Sequence, residues 1–367
     1  SLPEGDRAER ARLVAAIAAA VAAGEQQAAR AHRKVYALVP GHGEVTKVLA
    51  RGDPDLLGRT VAPGATAAIS GLNPDFGLAA DAPEADRRRK LADWILDPAN
   101  PLFTRVIVNR LWHHHFGVGI VDTPSDFGFN GGRPSHPGLL DHLAAEFRRQ
   151  GQSLKWLHRQ IVTSSSYRQS SHLADADPRG QVVDAGNRLL WRGPRRRLEA
   201  ESLRDAMLVV SGALDPTPGG PGYRDVSVAY IDGTTYYEPL TDSTPVALRR
   251  TIYRFGPRGD RPPLLETFDC PDPAVTAPRR SVTTTPLQSL AMLNDRLVLQ
   301  LADTFADRVR AEAGGDIGAQ VARGWRLALG RDPDPEERRL AETLATDHGL
   351  AAFCRGLMNL GEFVVID

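Results

Sequence analysis

Histidines are concentrated between residues 101 and 171, where three helical patterns are joined by a loop rich in Gly, Pro and Asp. The run His113, His114 and His115 invites a metal hypothesis. Successive helix residues point about 100° apart, so three in a row cannot converge on one ion. We predict no metal site unless His114 or His115 contributes a ligand, and we favour imidazoles hydrogen-bonded within a polar seam. The further ligands would be His136, Asp122 or Asp126.

A pair of carboxylates could instead support glycoside cleavage. That reaction needs a carboxyl group on each side of the bond that breaks. Asp126, in the TPSDFG loop, and Glu199 are the candidates, with His136 as a third catalytic residue. Asp122 and Glu201 are alternative members of the pair. One pocket around Asp126, His136 and Glu199 would favour an enzyme, whereas scattered positions would favour a scaffold.

Glu199 and His158 also have structural interpretations, because each shares a predicted helix face with leucines. A carboxylate on an apolar face must be paired or have its pKa raised. The arginines at 195–197 are close in sequence, and Arg110 or Arg168 could reach Glu199 through the fold. We favour a buried ion pair for Glu199 and a hydrogen-bonded core histidine for His158.

The loop that ends near residue 285 contains the elements of an anion site. Arg279 and Arg280 precede the hydroxyls of residues 283–285, and Pro286 begins a predicted helix. A dibasic pair, hydroxyl groups and a helix N-terminus can together hold an anion. Alternatively, the arginines fix the loop by binding carbonyl and carboxylate groups. The full set of predicted binding residues is Asn109, Arg110, His115, Asp122, His158, Arg168, Arg279, Arg280 and Thr284.

Composition argues against several classes of protein. Lys+Arg and Asp+Glu number 45 each, so bulk charge does not favour a nucleic-acid or membrane-surface partner. The sequence has no run of 18 apolar residues that could span a membrane and no strand-to-helix nucleotide-binding turn. Cys270 and Cys354 belong to no CxxC pattern, which excludes a cysteine-based zinc site and leaves open whether the two pair. The chain begins at Ser1 without a leader, as a mature chain or an excised piece would.

Hydrophobic periodicity predicts a mainly α, compact multi-helix domain with a minor β strap near the N-terminus and long Gly/Pro-rich loops. The predicted division is residues 1–86, a helix (6–34) plus the strap (35–71), and residues 87–367, the helical domain. Further helices are predicted at 87–96, 102–116, after Ser135, after Ser153, 195–210, 286–313, 316–329, 335–347 and 350–360. Strand character is predicted at 226–231 and 249–255.

Four stretches resemble, in order, the signatures of one bacterial family: NRLWHHHFGVGIVDTPSDFGFNGGRPSHPGLLDHLA, LHRQIVTSSSYRQSS, RRRLEAESLRDAML and RRSVTTTPLQSLAMLND. The upstream ARGDP and the ending LMNLGEFVVID fit as well. The chain thus resembles the PSD-one domain family, a domain of unknown function typical of planctomycetes. It departs from the family pattern in FDCPDPAVTAPRR, where Cys270 comes early and no cysteine directly precedes the arginines.

The resemblance implies a location and partner domains for this chain rather than a reaction. Relatives carry this domain at the C-terminus of large exported proteins, often with a c-type cytochrome domain upstream. We therefore expect a periplasmic or cell-surface location and a cytochrome domain, in the same or another chain, as partner. This chain has no CxxCH, so we expect no cofactor within it, and any haem would belong to the partner.

The activity itself is left unknown by the resemblance. Our leading hypothesis is an extracytoplasmic module that works with the cytochrome domain in oxidative processing of complex carbohydrate. A polysaccharide would then be a second partner. The alternatives are a non-catalytic scaffold or polymer-binding module, and a glycan-acting hydrolase that uses the carboxylate pair.

Overall fold

The computed structural model describes residues 9, 12–22, 39–41, 43–240 and 245–366. The chain forms two compact units, residues 1–101 and residues 102–367, which we call the first and the second unit. Residues 9 and 12–22 are helical and exposed. The remainder of the helix predicted at 6–34 lies outside the described residues.

The first unit contains a short β pair and one longer helix. Its elements are β1 (Lys47–Leu49), β2 (Leu57–Thr60) and α1 (Glu84–Leu96). The strands pair antiparallel, which confirms the minor β strap. Arg87 of α1 donates to the carbonyls of Ala80 and Ala82 at 2.9 and 2.8 Å and to that of Glu44 at 3.1 Å. One guanidinium therefore fastens the segment before the strap to the helix after it.

The second unit is built from helices and loops with two short strand pairs. Its elements are α2 (Leu102–Phe116), α3 (Pro137–Arg149), α4 (Leu154–Val162), α5 (Ser165–Arg168), α6 (Arg179–Val183), β3 (Arg196–Arg197), α7 (Ala200–Ser211), β4 (Val226–Ile231), β5 (Thr234–Pro239), α8 (Pro263–Thr267), α9 (Pro286–Asn294), α10 (Arg296–Ala313), α11 (Ile317–Leu329), α12 (Pro335–His348), α13 (Leu350–Met358), α14 (Gly361–Val364) and β6 (Val365–Ile366). The mainly α fold with minor β structure is confirmed.

Two separate apolar cores hold these helices together. The first lies among α2, α3 and α4 and includes Val108 and Leu157, both fully buried. The second lies among α7 and α9 to α13 and includes Phe305, which is fully buried. A Cβ at Gly324 of α11 would lie 2.8 Å from the Phe353 ring, so glycine allows α11 and α13 to pack closely. The candidate site described below lies between elements of both cores.

Local signals located several helix ends correctly. The prediction for α2, residues 102–116, agrees with the structure at both ends. Ser153 caps α4 through its hydroxyl, which accepts from the Trp156 N–H. Asp334 forms the capping box of α12 with Glu337. The Ser135 prediction was off by one residue, because His136 is the N-cap of α3.

Two long helix predictions were wrong in part. The helix predicted at 195–210 begins only at Ala200, because Arg196 and Arg197 form β3 and pair with β6 at the other end of the chain. The helix predicted at 286–313 is divided at Asp295, whose backbone is extended and whose carboxylate caps α10. In the first helix, pairing with a distant strand prevents the helical start. In the second, the Asp295 cap ends one helix and begins another.

The two strand predictions had different outcomes. Residues 226–231 form β4, which pairs with β5 as a hairpin and confirms that prediction. Residues 249–255 contain a 3-10 turn, Thr251–Tyr253, and only isolated bridges at Arg249 and Arg254. The arginines there donate to loop carbonyls and to carboxylates instead of alternating across a sheet.

Arg331 forms a cluster of ion pairs near the C-terminus, and its contribution to the free energy of unfolding should depend on pH. Hydrogen bonds from Arg331 at 2.7 Å, then one from the Asp334 N–H, lower the pKa of Glu337 to about 2. A carboxylate with a depressed folded-state pKa contributes stability above its unfolded pKa of about 4.3 and loses it as pH falls towards 2. Because Glu337 is partly exposed, we expect Glu337→Gln to lower the free energy of unfolding by about 1 kcal/mol at pH 7 and by almost nothing near pH 2.

Urea unfolding of parent and variant across that pH range measures this difference. Glu336→Gln is the matched control, because Glu336 lies in the same first turn of α12 without an Arg331 contact among the described residues. A difference for Glu337→Gln that is constant with pH would contradict the prediction.

Two further features bear on the sequence-based expectations. Cys270 and Cys354 are both free thiols and do not form a disulfide with each other. Among the helices formed by described residues, none has the length and apolar character needed to cross a membrane.

Candidate functional site

A two-chambered cleft opens in the second unit. The larger chamber has a volume of about 630 Å³ and the smaller one about 470 Å³. Both are in the size range of ligand sites. Four residues line both chambers and thus form their common wall: His113, His114, Glu199 and Arg280. The last turn of α2, the residue before α7 and the loop before α9 therefore meet here.

The smaller chamber is basic. Its wall includes six arginines, Arg188, Arg192, Arg195, Arg196, Arg197 and Arg280, and two carboxylates, Glu199 and Asp269. With histidines neutral, the wall has four more positive than negative charges. Asp122 and Glu201 lie outside this wall but pair with Arg188 and Arg280, and when they are counted the surplus is two positive charges. The sequence as a whole has formal net charge zero, so the surplus is a local property of the fold.

Arg280 is the centre of the common wall. It binds Glu201 through two hydrogen bonds of 2.5 and 2.9 Å, and its Nε lies 3.6 Å from Glu199. Burial acts to raise the pKa of Glu201, but the Arg280 hydrogen bonds and charge prevail and hold it below its ordinary value. Glu201 therefore stays ionised and cannot act as a general acid at neutral pH.

Cys270 lies beside the same carboxylate, with its Sγ 3.6 Å from Glu201. Burial, and then the negative charge of Glu201, raise the pKa of Cys270 to about 11. Since the thiolate is the nucleophilic form, this thiol is unreactive at neutral pH. Its proximity to two charged side chains does not make it a catalytic cysteine.

A second arginine fixes the loop that follows Phe268. Arg197 donates to Asp269 at 2.6 Å and to the Phe268 carbonyl at 3.1 Å. Asp269 in turn accepts from the Thr283 N–H and hydroxyl, both at 2.9 Å. This closed network sets the start and end of the loop that carries Arg279 and Arg280. Of Arg279 and Arg280, the alternative in which the arginines tie the loop down therefore describes Arg280, and Arg197 acts in the same way from outside the loop.

The larger chamber has balanced charge but unequal pairing. Its wall contains five arginines and five carboxylates. Those carboxylates bind Arg254, Arg261 and Arg280. Arg110 and Arg279 remain, both exposed, and neither guanidinium has an ion-pair or hydrogen-bond partner within the described part of the chain. These two charges are available to a ligand.

His113 is the half-buried member of the histidine run that lines the cleft. Burial first, then the positive charges of His114 and Arg196, lower the pKa of His113 below its ordinary value. The ring is thus unprotonated at neutral pH and can accept a proton. Arg196 donates to the His114 carbonyl at 2.7 Å, which closes the end of α2. Its side chain passes over Gly117, where a Cβ would lie only 2.9 Å away.

His115 and His158 lie together, apart from both chambers. His115 Nε2 is 2.8 Å from His158 Nδ1, and the Tyr167 ring contacts the His115 ring edge-on. Both histidines are half-buried. This pair is the hydrogen-bonded polar seam that was favoured over metal ligation for the histidine run, here formed by one of its three members.

Among the predicted catalytic residues, Glu199 and His136 line the cleft and Asp126 does not. His136 is part of the smaller chamber, with its Nδ1 2.9 Å from the Ser135 hydroxyl. The Asp126 side chain is exposed and accepts from the Gly128 N–H. Glu199 is the N-cap residue of α7 and its side chain is 47% exposed. The ion pair favoured for Glu199 exists, with Arg280 at 3.6 Å, but it is not buried, because the residue precedes the helix and faces the cleft.

The predicted binding residues divide in the same way. Arg110, Arg279 and Arg280 line the larger chamber. Asn109 is fully buried and binds the Val121 backbone, and Asp122 pairs with Arg188 at 3.1 Å. The remaining two, Arg168 and Thr284, are exposed and line neither chamber.

The sequence argument missed His113 as a lining residue and missed the basic wall. Spacing on α2 offered a signal for His113, because it lies one helical turn after Arg110 on the same face. The wall had no comparable signal, since its arginines come from 188–197 and from the loop before α9. Within the described residues, no group of three or more His, Cys, Asp or Glu side chains could hold a metal ion.

Comparison with known proteins gives a family and no closer relative. No curated protein and no solved structure matches the chain significantly. The family model PSD1, described as a protein of unknown function (DUF1553), matches residues 87–345, which is well over half of the chain. The resemblance inferred from the sequence motifs is thereby confirmed. The chain belongs to the PSD1 family.

Proposed function

We propose that this chain is an extracytoplasmic module whose cleft binds an acidic polysaccharide and which works beside a c-type cytochrome domain. The single observation that carries the binding proposal is the surplus of positive charge in the smaller chamber, which is two charges when the carboxylates paired with its arginines are all counted. Clefts lined by one sign of charge concentrate ligands of the opposite sign. A polymer carrying carboxylate or sulfate groups meets that requirement.

The unpaired arginines of the larger chamber support the same ligand. Three of the five arginines in this chamber are already bound to protein carboxylates, so they hold the protein rather than a ligand. Arg110 and Arg279 have no such partner among the described residues. A guanidinium forms bidentate hydrogen bonds with a carboxylate, and such charge-assisted bonds are stronger than neutral ones. Each of these arginines can therefore bind one acidic group.

The shape of the cleft favours a polymer over a small anion. Two chambers share one wall, so an extended ligand that lies across His113 and Glu199 would contact both chambers. The choice of a carbohydrate, the extracytoplasmic location and the cytochrome partner come from the family resemblance. Spectroscopic detection of c-type haem in complexes isolated with this chain from its host tests the cytochrome association.

A glycan hydrolase has weaker support. Of the proposed carboxylate pair, Asp126 lies outside both chambers and Glu201 is held ionised by Arg280. A hydrolase needs one carboxyl group that is protonated at its working pH. Neither residue therefore completes a pair with Glu199.

Titration calorimetry with polymannuronate and polygalacturonate tests the proposal. We expect both uronate polymers to bind, more weakly as salt rises, and the neutral polymer dextran not to bind. Arg279→Gln should weaken binding at least about 10-fold, since a hydrogen bond to a charged group contributes roughly 1.5–3 kcal/mol. Arg110→Gln should act in the same direction.

Arg159→Gln is the matched control, because Arg159 is also exposed and without an ion pair among the described residues but lies on α4 outside both chambers. Equal weakening by Arg159→Gln would contradict a role for the cleft. Tighter binding of DNA than of either uronate polymer would replace the proposed ligand class.

A further inference from the structure

We infer that the cleft also cleaves uronate polymers by β-elimination, with His113 as the base that removes the proton next to the carboxylate. This inference rests on the proposed binding of an acidic polysaccharide and adds a reaction to it. The reaction needs three things from a protein: a base in its unprotonated form, positive charge on the substrate carboxylate, and room for sugars on both sides of the bond.

The base is present in the common wall. His113 lines both chambers and is half-buried, and its ring nitrogens have no hydrogen-bond partner within the described part of the chain. Its lowered pKa, caused first by burial and then by His114 and Arg196, keeps the ring ready to accept a proton at neutral pH. A general base of this kind contributes about 10²- to 10⁴-fold to a rate.

The positive charge is present beside it. Arg279 is close enough to His113 to act on it electrostatically, and Arg110 precedes His113 by one turn of α2. Both guanidinium groups are unpaired in the described structure and line the larger chamber. A guanidinium on a uronate carboxylate stabilises the negative charge that develops when the adjacent C5 proton leaves.

The chemistry balances without a further reactant. His113 takes the proton from C5, and the electron pair of the C5–H bond becomes the second bond between C4 and C5. The C4–O bond to the neighbouring sugar breaks, and its electron pair remains on the leaving oxygen. The imidazolium formed on His113 then returns the proton to that oxygen. The products are one chain with an unsaturated uronate end and one with a free hydroxyl group.

The same wall argues for elimination over hydrolysis. Hydrolysis would need a protonated carboxylic acid and an activated water, and Glu201 is bound to Arg280 in its ionised form. Elimination needs neither of these groups. It uses the imidazole and the unpaired arginines, which no structural network of the described residues employs.

The test follows the ultraviolet absorbance of the new double bond while the full chain is incubated with polymannuronate, polygalacturonate or hyaluronan. Absorbance should grow with time for at least one polymer, and His113→Gln should lower the initial rate at least about 100-fold. Binding of the same polymer, measured by calorimetry, and the thermal unfolding curve should remain close to those of the parent. His142→Gln is the control, since His142 is exposed on α3 and lines neither chamber.

Each outcome decides the matter. Binding of all three polymers without any new absorbance would overturn the elimination and leave the proposed binding function intact. Absence of binding would overturn both. A cleavage rate unchanged in His113→Gln would remove His113 as the base. Loss of cleavage with binding retained in His113→Gln, and with His142→Gln active, would establish the inference.

Discussion

Replacement of Arg254 with methionine should lower the free energy of unfolding by about 3–5 kcal/mol, the range observed when one partner of a buried ion pair is removed. The Arg254 side chain is 8% exposed and donates to Asp225 at 2.7 Å and to Asp260 at 2.6 Å. The Asp260 side chain is also only 8% exposed. Without the guanidinium, a carboxylate would remain buried without a compensating charge, and its desolvation would no longer be offset.

Urea unfolding followed by tryptophan fluorescence and circular dichroism measures this loss. The double variant Arg254→Met with Asp260→Leu should regain part of the stability, because the uncompensated buried charge is gone. Arg250→Met is the control. Arg250 is 59% exposed and pairs with Asp205. When Arg250 is replaced, Asp205 still accepts hydrogen bonds from the Thr251 N–H and hydroxyl. That change should cost less than about 1 kcal/mol. A similar loss for both single variants would show that burial of the pair is not the cause.

Asn109→Leu should lower the free energy of unfolding by about 3 kcal/mol, since it leaves two buried backbone groups without partners at roughly 1–3 kcal/mol each. Asn109 donates to the Val121 carbonyl at 2.9 Å and accepts from the Val121 N–H at 2.8 Å. The residue is fully buried and Val121 is 3% exposed. Leucine has a similar size but can satisfy neither backbone group.

Thermal and urea unfolding of this variant are compared with Asn294→Leu. Asn294 is exposed and makes one hydrogen bond, to the Leu290 carbonyl at 2.9 Å, so its replacement should change stability by no more than about 0.5 kcal/mol. Polymer binding by Asn109→Leu protein should weaken only together with the loss of stability, because Asn109 supports the cleft wall without lining either chamber. Weakened binding with unchanged stability would instead make Asn109 a ligand-binding residue.

The Asn109 contact also explains how the cleft is kept in shape. Asn109 lies one turn before His113 on α2, and its side chain fastens the chain after α2 to that helix. A Cβ at Gly119 would lie 2.4 Å from the Val121 carbonyl and 2.7 Å from Asn109 Nδ2. The glycine is therefore required by the same contact. A residue predicted to bind ligand thus supports the wall that does line the cleft.

Prediction from sequence succeeded where the determinants are local. The bounds of α2, the Ser153 cap and the Asp334 capping box depend on residues within one or two turns. Such signals act through hydrogen bonds to the nearest free N–H groups. Prediction failed at residues 195–199, where pairing of β3 with β6 overrides helix formation. No local pattern encodes a strand partner at the far end of the chain.

The candidate site could be predicted only in part for the same reason. Arg279 and Arg280 were chosen because a dibasic pair precedes hydroxyls and a helix, which is a local pattern. Their different roles were not predictable. Arg280 is bound by Glu201 and Arg279 is not, and that difference depends on how the loop before α9 meets the start of α7.

The sequence by itself determined the family, the mainly helical fold and most helix ends of the second unit, because motifs, apolar periodicity and capping residues are written along the chain. The tertiary structure alone decided which charged side chains are paired and which are available. A net charge of zero over the whole sequence is compatible with a basic chamber, because electrostatic interactions depend on distances in space that residue order does not specify.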